Sequence, residues 1–170
     1  MKKDYYTWGK VERGCKEIAD QLKKDGFVPD YIVGITRGGA IPAILLSNLL
    51  KVPMRPLEVS LRDSGITTSD CGMSEDALGY VDSAVSADSR KKILVVDDIN
   101  DSGDTLNWIK NDWEKSTFPG NPEWANVWHN TVKFATIINN TSSSAVVDYS
   151  SILINKLSNP VWVVFPWEEF

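Results

Sequence analysis

The chain has 170 residues, with 18 basic side chains against 23 acidic ones, a net charge of −5, one histidine and two cysteines. That length suits one domain with a substantial hydrophobic core and argues against two full domains. An acidic chain offers no broad footprint for nucleic acid, although a nest of backbone N–H groups can still hold a small anion. Cys15 and Cys71 make neither a disulfide scaffold nor a CxxC pair, and the lone His129 excludes a His-rich metal site. The opening MKKDYYTWGK lacks the apolar core of a secretory signal, and the mostly apolar run from Ala40 to Leu50 is too short to span a bilayer. These features predict a soluble, cytoplasmic protein that inserts into no membrane.

In chain order, Thr7 reads as an N-cap, Val11, Cys15, Ile18 and Leu22 recur at helical spacing, and Gly26 reads as the stop. Residues 31–35 read as a short buried strand. The turn Thr36-Arg37-Gly38-Gly39 follows, then a helix over 41–50 with Pro42 in its first turn. Residues 54–61 read as a second strand. From 62 to 91 Ser, Asp, Gly and Thr dominate without a sustained period, which predicts a long mobile loop with room for a short hairpin. Residues 92–97 form the clearest central strand, and a helix is predicted over 105–115. The stretch 116–130, with Phe118, Trp124 and Trp128, reads as an inserted aromatic connection that covers a site or forms a subunit contact. Further strands are predicted over 131–138, 146–154 and 161–164. Strands alternating with helices specify an α/β domain with a mostly parallel central sheet flanked by helices.

The chemistry concentrates in Val95-Val-Asp-Asp-Ile-Asn-Asp-Ser-Gly-Asp-Thr105. An apolar strand delivers Asp97 and Asp98 to its carboxyl end, where open α/β sheets bind their ligands. Two hard oxygen donors suit sugar hydroxyls or a Mg²⁺ ion that keeps most of its waters. Asp101, Ser102, Gly103, Asp104 and Thr105 then combine successive N–H groups, two hydroxyls and a helix start, which is a phosphate cradle. Acids for a polyol beside a cradle for phosphate match a phosphorylated sugar. The Gly38-Gly39 turn lets backbone approach a diphosphate, and Arg37 adds positive charge. Trp162 offers an aromatic face for a planar base.

The segment 95–105 resembles the signature of the type I phosphoribosyltransferases, which use 5-phosphoribosyl-1-diphosphate (PRPP). Thr7-Trp8, IVGITRGGAIP at 32–42, residues 134–138, Asp148-Tyr149 and WVVFPW at 162–167 are similar to the bacterial xanthine–guanine branch of that family. The resemblance implies that Arg37, Gly38, Gly39, Asp97, Asp98, Ile99, Asn100 and Asp101 to Thr105 bind PRPP, and that Asp98 meets Mg²⁺. It implies that Trp162 stacks on the purine, that Val163 contacts its exocyclic group, and that Asp101 exchanges a proton with the base. It further implies a small hood made by the chain ends, a base-binding segment at 155–170, a cis peptide bond between Thr36 and Arg37, and a homo-oligomer of two or four subunits.

The expected activity is a purine phosphoribosyltransferase acting on xanthine, guanine or hypoxanthine; the alternative is a non-catalytic PRPP-sensing or nucleotide-sensing regulator of the same fold. One departure stands out. Asn140 occupies the place where the resembled enzymes carry a lysine against the purine 6-oxo group, so Asn140 is the expected base contact. Arg62, Arg90, Lys91 and Lys92 are the basic candidates for holding pyrophosphate, and loop 62–91 is expected to close over the site. No chemistry is expected of His129, Cys15 or Cys71.

Overall fold

The computed structural model describes residues 1–59, 61 and 72–169. Strand β1 (Lys2–Tyr5) leads into helix α1 (Trp8–Asp25). The Thr7 side chain accepts from Lys10 N at 3.2 Å, and Gly26, at φ 69°, closes the helix by donating back to its last carbonyls. Both ends are therefore set by the residues that predicted them. Next come β2 (Tyr31–Thr36), α2 (Ala40–Leu50), β3 (Met54–Glu58), α3 (Met73–Leu78) and the hairpin strands β4 (Tyr80–Val81) and β5 (Ala84–Val85). The chain continues through β6 (Ile93–Asn100), α4 (Asp104–Ser116), β7 (Val132–Asn140), β8 (Tyr149–Ile154) and β9 (Val161–Val164).

The main sheet is wholly parallel, in the order β3–β2–β6–β7–β8. Continuous apolar runs in the middle strands follow from burial on both faces. Along β6, Leu94 and Val96 join α1 and α2 in one core, while Ile93 and Val95 join Leu106, Ile109 and Trp113 of α4 in the other. Strand order reverses between β2 and β6, so the turns after these two strands meet at the sheet's switch point, where α/β sheets place ligands. The chain ends pair as a separate parallel sheet, β1 with β9, and put Trp162 opposite Lys3. This is the expected hood.

The long loop is narrower than its composition suggests. Residues 62–71, Arg62 and Cys71 among them, lie outside the described residues, whereas residues 72–91 pack as α3, the hairpin and a short 3₁₀ turn. Arg90 anchors that segment: its guanidinium donates to Leu78 O at 3.1 Å and to Glu123 at 2.5 Å, leaving its side chain 8% exposed. Met73, Ala77 and Leu78 are buried in the α4-side core. Small polar residues disguised a tightly held element.

The aromatic insert neither caps a site nor stands free. Its 3₁₀ helix (Pro122–Asn126) buries Trp124 against Trp128, which stacks on Phe134 of β7, and the two indole N–H groups donate to Thr117 O and Glu114. It thickens the core on the α4 side. His129 turns its ring to the carboxylate of Asp148, which also accepts from Phe134 N at 2.8 Å. That contact ties the insert to β7. Cys15 is fully buried on α1, where burial pushes its thiol up to about 12 and leaves it inert as a nucleophile.

Candidate active site

A cleft of about 510 Å³ opens at the carboxyl end of β6, beneath the hood. Its floor is the unbroken run Asp97, Asp98, Ile99, Asn100, Asp101, Ser102, Gly103, Asp104 and Thr105, and its far wall carries Lys156, Trp162, Val163, Phe165 and Glu168. Val59 and Leu61 complete the lining on the β3 side.

Strand β6 runs three residues past its predicted end, and the extension shapes the acid pair. Asp98 N donates to Asp97 Oδ1 at 2.9 Å, and Ile99 N donates to Asp98 Oδ1 at 2.8 Å. Burial drives the Asp97 carboxyl well above its ordinary value, and the neighbouring Asp98 charge adds to the rise. Burial likewise lifts Asp98 to about 6; the Ile99 N–H opposes the rise and the Glu168 charge reinforces it. Two half-buried carboxylates that resist ionisation are poised for a cationic partner. Among the described residues no group of three or more His, Cys, Asp or Glu side chains gathers to hold a metal. A hard cation at this pair would take its remaining ligands from water and substrate oxygens.

The glycine turn after β2 packs directly on these acids. A methyl group built on Gly38 falls 2.0 Å from Asp98 Oδ2, and one on Gly39 falls 2.4 Å from Val96 O. Only bare backbone fits against β6 here. The Thr36–Arg37 peptide is cis, as expected, and Arg37 itself is exposed at the turn, outside the cleft lining.

At the other end of the run, Gly103 adopts φ 94° and starts α4 without a side-chain cap. Ser102 Oγ accepts from Asp104 N at 3.2 Å, so the first turn of the helix presents its remaining N–H groups to the cleft side. The loop is backed by residues 143–145. Ser144 N and Oγ both donate to Ser102 O at 2.9 Å, and a methyl on Gly103 would lie 2.5 Å from Ala145 N.

Several expected roles change here. Asn100 lines the cleft with its backbone segment, but its amide donates to Asn139 Oδ1 and Ala145 O and its carbonyl accepts from Ser143 Oγ. Its side chain positions the loop. Asn140 does the same on the base side. Its amide donates to Asp101 O at 2.9 Å, while its oxygen accepts from Ser142 N, Ser142 Oγ and Lys156 N. Asn140 is only 6% exposed; its oxygen is fully taken up and one of its two amide N–H groups goes to Asp101 O. Of the basic candidates, Arg90 and Lys91 are held by Glu123 and Asp76 respectively, and Lys92 is exposed outside the cleft lining. Asp101 does not cap α4. Its side chain, half-exposed, turns to Lys156 Nζ at 2.8 Å.

On the far wall Trp162 is 47% exposed, while Val163 is buried beside it and Phe165 stacks on Trp167 behind. Sequence reading missed Lys156, Glu168 and the serine backing of residues 143–145. None carries a local motif; each reaches the cleft through the fold.

Comparison with known proteins agrees with this geometry. The family described as "Phosphoribosyl transferase domain" matches residues 1–169. Xanthine-guanine phosphoribosyltransferase of Ruegeria sp. is 27% identical over 170 residues, covering 96% of this chain and 84% of its own. Hypoxanthine-guanine phosphoribosyltransferase of Saccharomyces cerevisiae is 29% identical over 125 residues, covering 66% of this chain and 56% of its own. The purine phosphoribosyltransferase of Pyrococcus horikoshii Ot3 superposes with a TM-score of 0.66 at 27% identity, covering 100% of this chain and 96% of that one. An acid-ended strand, a glycine turn packed on it and an uncapped helix start, matched end to end by that family, make this chain a member of the phosphoribosyl transferase domain family.

Proposed function

We propose that the protein is a purine phosphoribosyltransferase that joins xanthine, guanine or hypoxanthine to PRPP, giving the nucleoside 5′-monophosphate and pyrophosphate. The observation that carries this reading is the coexistence, in one cleft, of the phosphate loop 101–105 and the exposed indole of Trp162. A purine stacked on Trp162 faces a ribose seated over Asp97 and Asp98. The uncapped start of α4 takes the 5′-phosphate, and the main chain of Gly38 and Gly39, with Arg37, lies toward the diphosphate.

A nitrogen of the base forms the new bond to C1 of the ribose. The C1–O bond breaks, and its electron pair leaves with pyrophosphate. The proton lost by the base passes to the Asp101 carboxylate, held at the cleft wall by Lys156. Mg²⁺ held through Asp98 supplies charge neutralisation for the diphosphate when it is bound. Fixed N–H donors and the carboxylate pair stabilise the positive ribose and the departing anion without reorganising.

No described helix is long and apolar enough to cross a membrane. A cytoplasmic setting and a homo-oligomer of two or four belong to the same reading, the latter supported by Ile44 and Leu49, which α2 leaves exposed. The test is pyrophosphate release from PRPP with and without Mg²⁺, across xanthine, guanine, hypoxanthine, adenine, uracil and orotate. Turnover confined to the 6-oxopurines and dependent on Mg²⁺ is expected. Tight PRPP binding without turnover of any base would favour the sensing alternative.

A further inference from the structure

No residue from 139 to 148 lines the cleft, yet the end of β7 and the turn after it grip the phosphate loop at Asn100, Asp101, Ser102 and Gly103 in turn. The Asn100 amide donates to Asn139 Oδ1 and Ala145 O, and its oxygen accepts from Ser143 Oγ. Asp101 O accepts from Asn140 Nδ2 at 2.9 Å, and Ser102 O accepts from Ser144 N and Ser144 Oγ, each at 2.9 Å. Ser144 Oγ in turn accepts from Asn107 Nδ2 of α4 at 3.0 Å. A hydroxyl has a single proton to donate, and with Asn107 on its acceptor side that proton is aimed at Ser102 O.

The bonds to Asp101 and Ser102 fall on carbonyl oxygens, and that fixes more than the oxygens. In a planar trans peptide the carbonyl and the following N–H point opposite ways, and among the described residues the only cis bond is Thr36–Arg37. Drawing Asp101 O and Ser102 O toward residues 140 and 144 therefore turns the N–H groups of Ser102 and Gly103 the other way, toward the cleft that both residues line. Among the described residues neither N–H has a protein acceptor. Gly103, at φ 94°, imposes little restraint of its own on these peptides, so their direction depends on the bonds from outside the loop.

We infer that Ser144, oriented by Asn107, is a positioning residue for phosphate recognition: it holds the Ser102–Gly103 peptide with its N–H toward the ligand and touches no ligand itself. The inference rests on the proposed reading of 101–105 as the seat of the 5′-phosphate and deepens it. Donors already aimed at an anion bind it without rearranging, and a second layer of hydrogen bonds is what keeps them aimed. Both Ser144 and Asn107 are exposed and lie outside the cleft lining, so their effect on a bound phosphate passes through the loop alone.

The test is calorimetric binding of guanosine 5′-monophosphate and of guanosine to wild type, Ser144→Ala, Ser144→Thr and Asn107→Ala. Ser144→Ala loses one hydrogen bond to Ser102 O and keeps the one from its own N–H, so its affinity for the monophosphate falls by about 3- to 10-fold. Guanosine, which lacks the phosphate, binds as it does to wild type. The KM for PRPP rises by a similar factor while the KM for guanine holds, and the melting temperature hardly moves because Ser144 is exposed. Ser144→Thr keeps the hydroxyl and recovers the affinity. Asn107 acts only through that hydroxyl, so adding Asn107→Ala to Ser144→Ala weakens binding no further. Unchanged monophosphate affinity in Ser144→Ala overturns the inference. So does an equal loss for guanosine and its monophosphate, which would make Ser144 a general brace of the cleft. A wild-type protein that binds the monophosphate no more tightly than guanosine overturns the phosphate seat itself, and this inference with it; that outcome is recognised before any variant is made.

Discussion

From Asp97 to Thr105 one strand and the turn after it carry the phosphate side of the cleft in consecutive residues, whereas the base side collects Asp101, Lys156 and Trp162 from separate segments. The first half is a backbone device. Its glycines touch carboxylates and main chain at distances where a single methyl would collide, and its anion donors are N–H groups. The second half is a side-chain device, in which a half-exposed indole, an ammonium and a carboxylate hold one another in place. Backbone devices are unforgiving of a methyl group and nearly indifferent to side-chain chemistry; side-chain devices invert that rule. The phosphate half should therefore tolerate little change within this fold, while the base half can be retuned by single substitutions.

The largest effect is expected where the two halves meet. Asp101→Asn should lower kcat by about 10²- to 10⁴-fold, because an amide cannot take the proton that leaves the base. Its melting temperature should hardly move, since the side chain is half-exposed and does not cap α4. Rapid-quench measurement of the chemical step decides this: an unchanged rate would make Asp101 only a partner for Lys156.

Gly103→Ala breaks the backbone half alone. Its Cβ would sit 2.5 Å from Ala145 N at a φ of 94°, so the loop must shift. A displacement approaching 1 Å costs on the order of 100-fold, here in kcat/KM for PRPP. Base binding should persist, as titration of the indole fluorescence with guanine can show.

Trp162→Ala breaks the side-chain half alone. A lost stacking platform is worth about 1–3 kcal/mol, or roughly 5- to 150-fold in the KM for the base, with the PRPP constant unmoved. Collapse of PRPP binding in this variant would make Trp162 a core residue and join the two halves.

The smallest effect is on stability. Burial raises Asp98 to about 6, from an unfolded value of roughly 4, so the native state holds a proton that the unfolded chain has already released. Stability is therefore lost as pH climbs from roughly 4 to 6 and stays lost above that window. Asp98→Asn removes this penalty, and the ligand-free variant should melt about 5–11 °C above wild type at pH 8, with the gap closing at pH 4. Thermal scans at the two pH values test the sign, and a lower melting point at pH 8 would refute it. The same variant should lose its Mg²⁺ response, because an amide is a poorer ligand for a hard cation.

The contrast also explains how much could be read from the sequence. The backbone half was legible because its signals are local: an apolar strand, two adjacent acids, then Ser, Gly and Thr at a helix start. Thr7 and Gly26 set the ends of α1 for the same reason. The base half was half legible. Trp162 stands out, but nothing local shows that the oxygen of Asn140, the expected base contact, is taken up by neighbours while one amide N–H holds Asp101 O. Lys156, sixteen residues further on, is brought to the cleft only by the pairing of β7 with β8. Polar composition allows a short hairpin within residues 62–91 but does not show α3, whose buried face, with Arg90, holds residues 72–91 through contacts distant in sequence. Local chemistry leaves a local trace, and long-range packing leaves little.

The most direct test of the whole account is product analysis by ion-exchange chromatography after mixing the wild-type protein, Mg²⁺, PRPP and guanine. The account predicts pyrophosphate and guanosine 5′-monophosphate in equal amounts, with no ribose 5-phosphate accumulating. Pyrophosphate matched by ribose 5-phosphate, or PRPP bound and recovered intact, would contradict it.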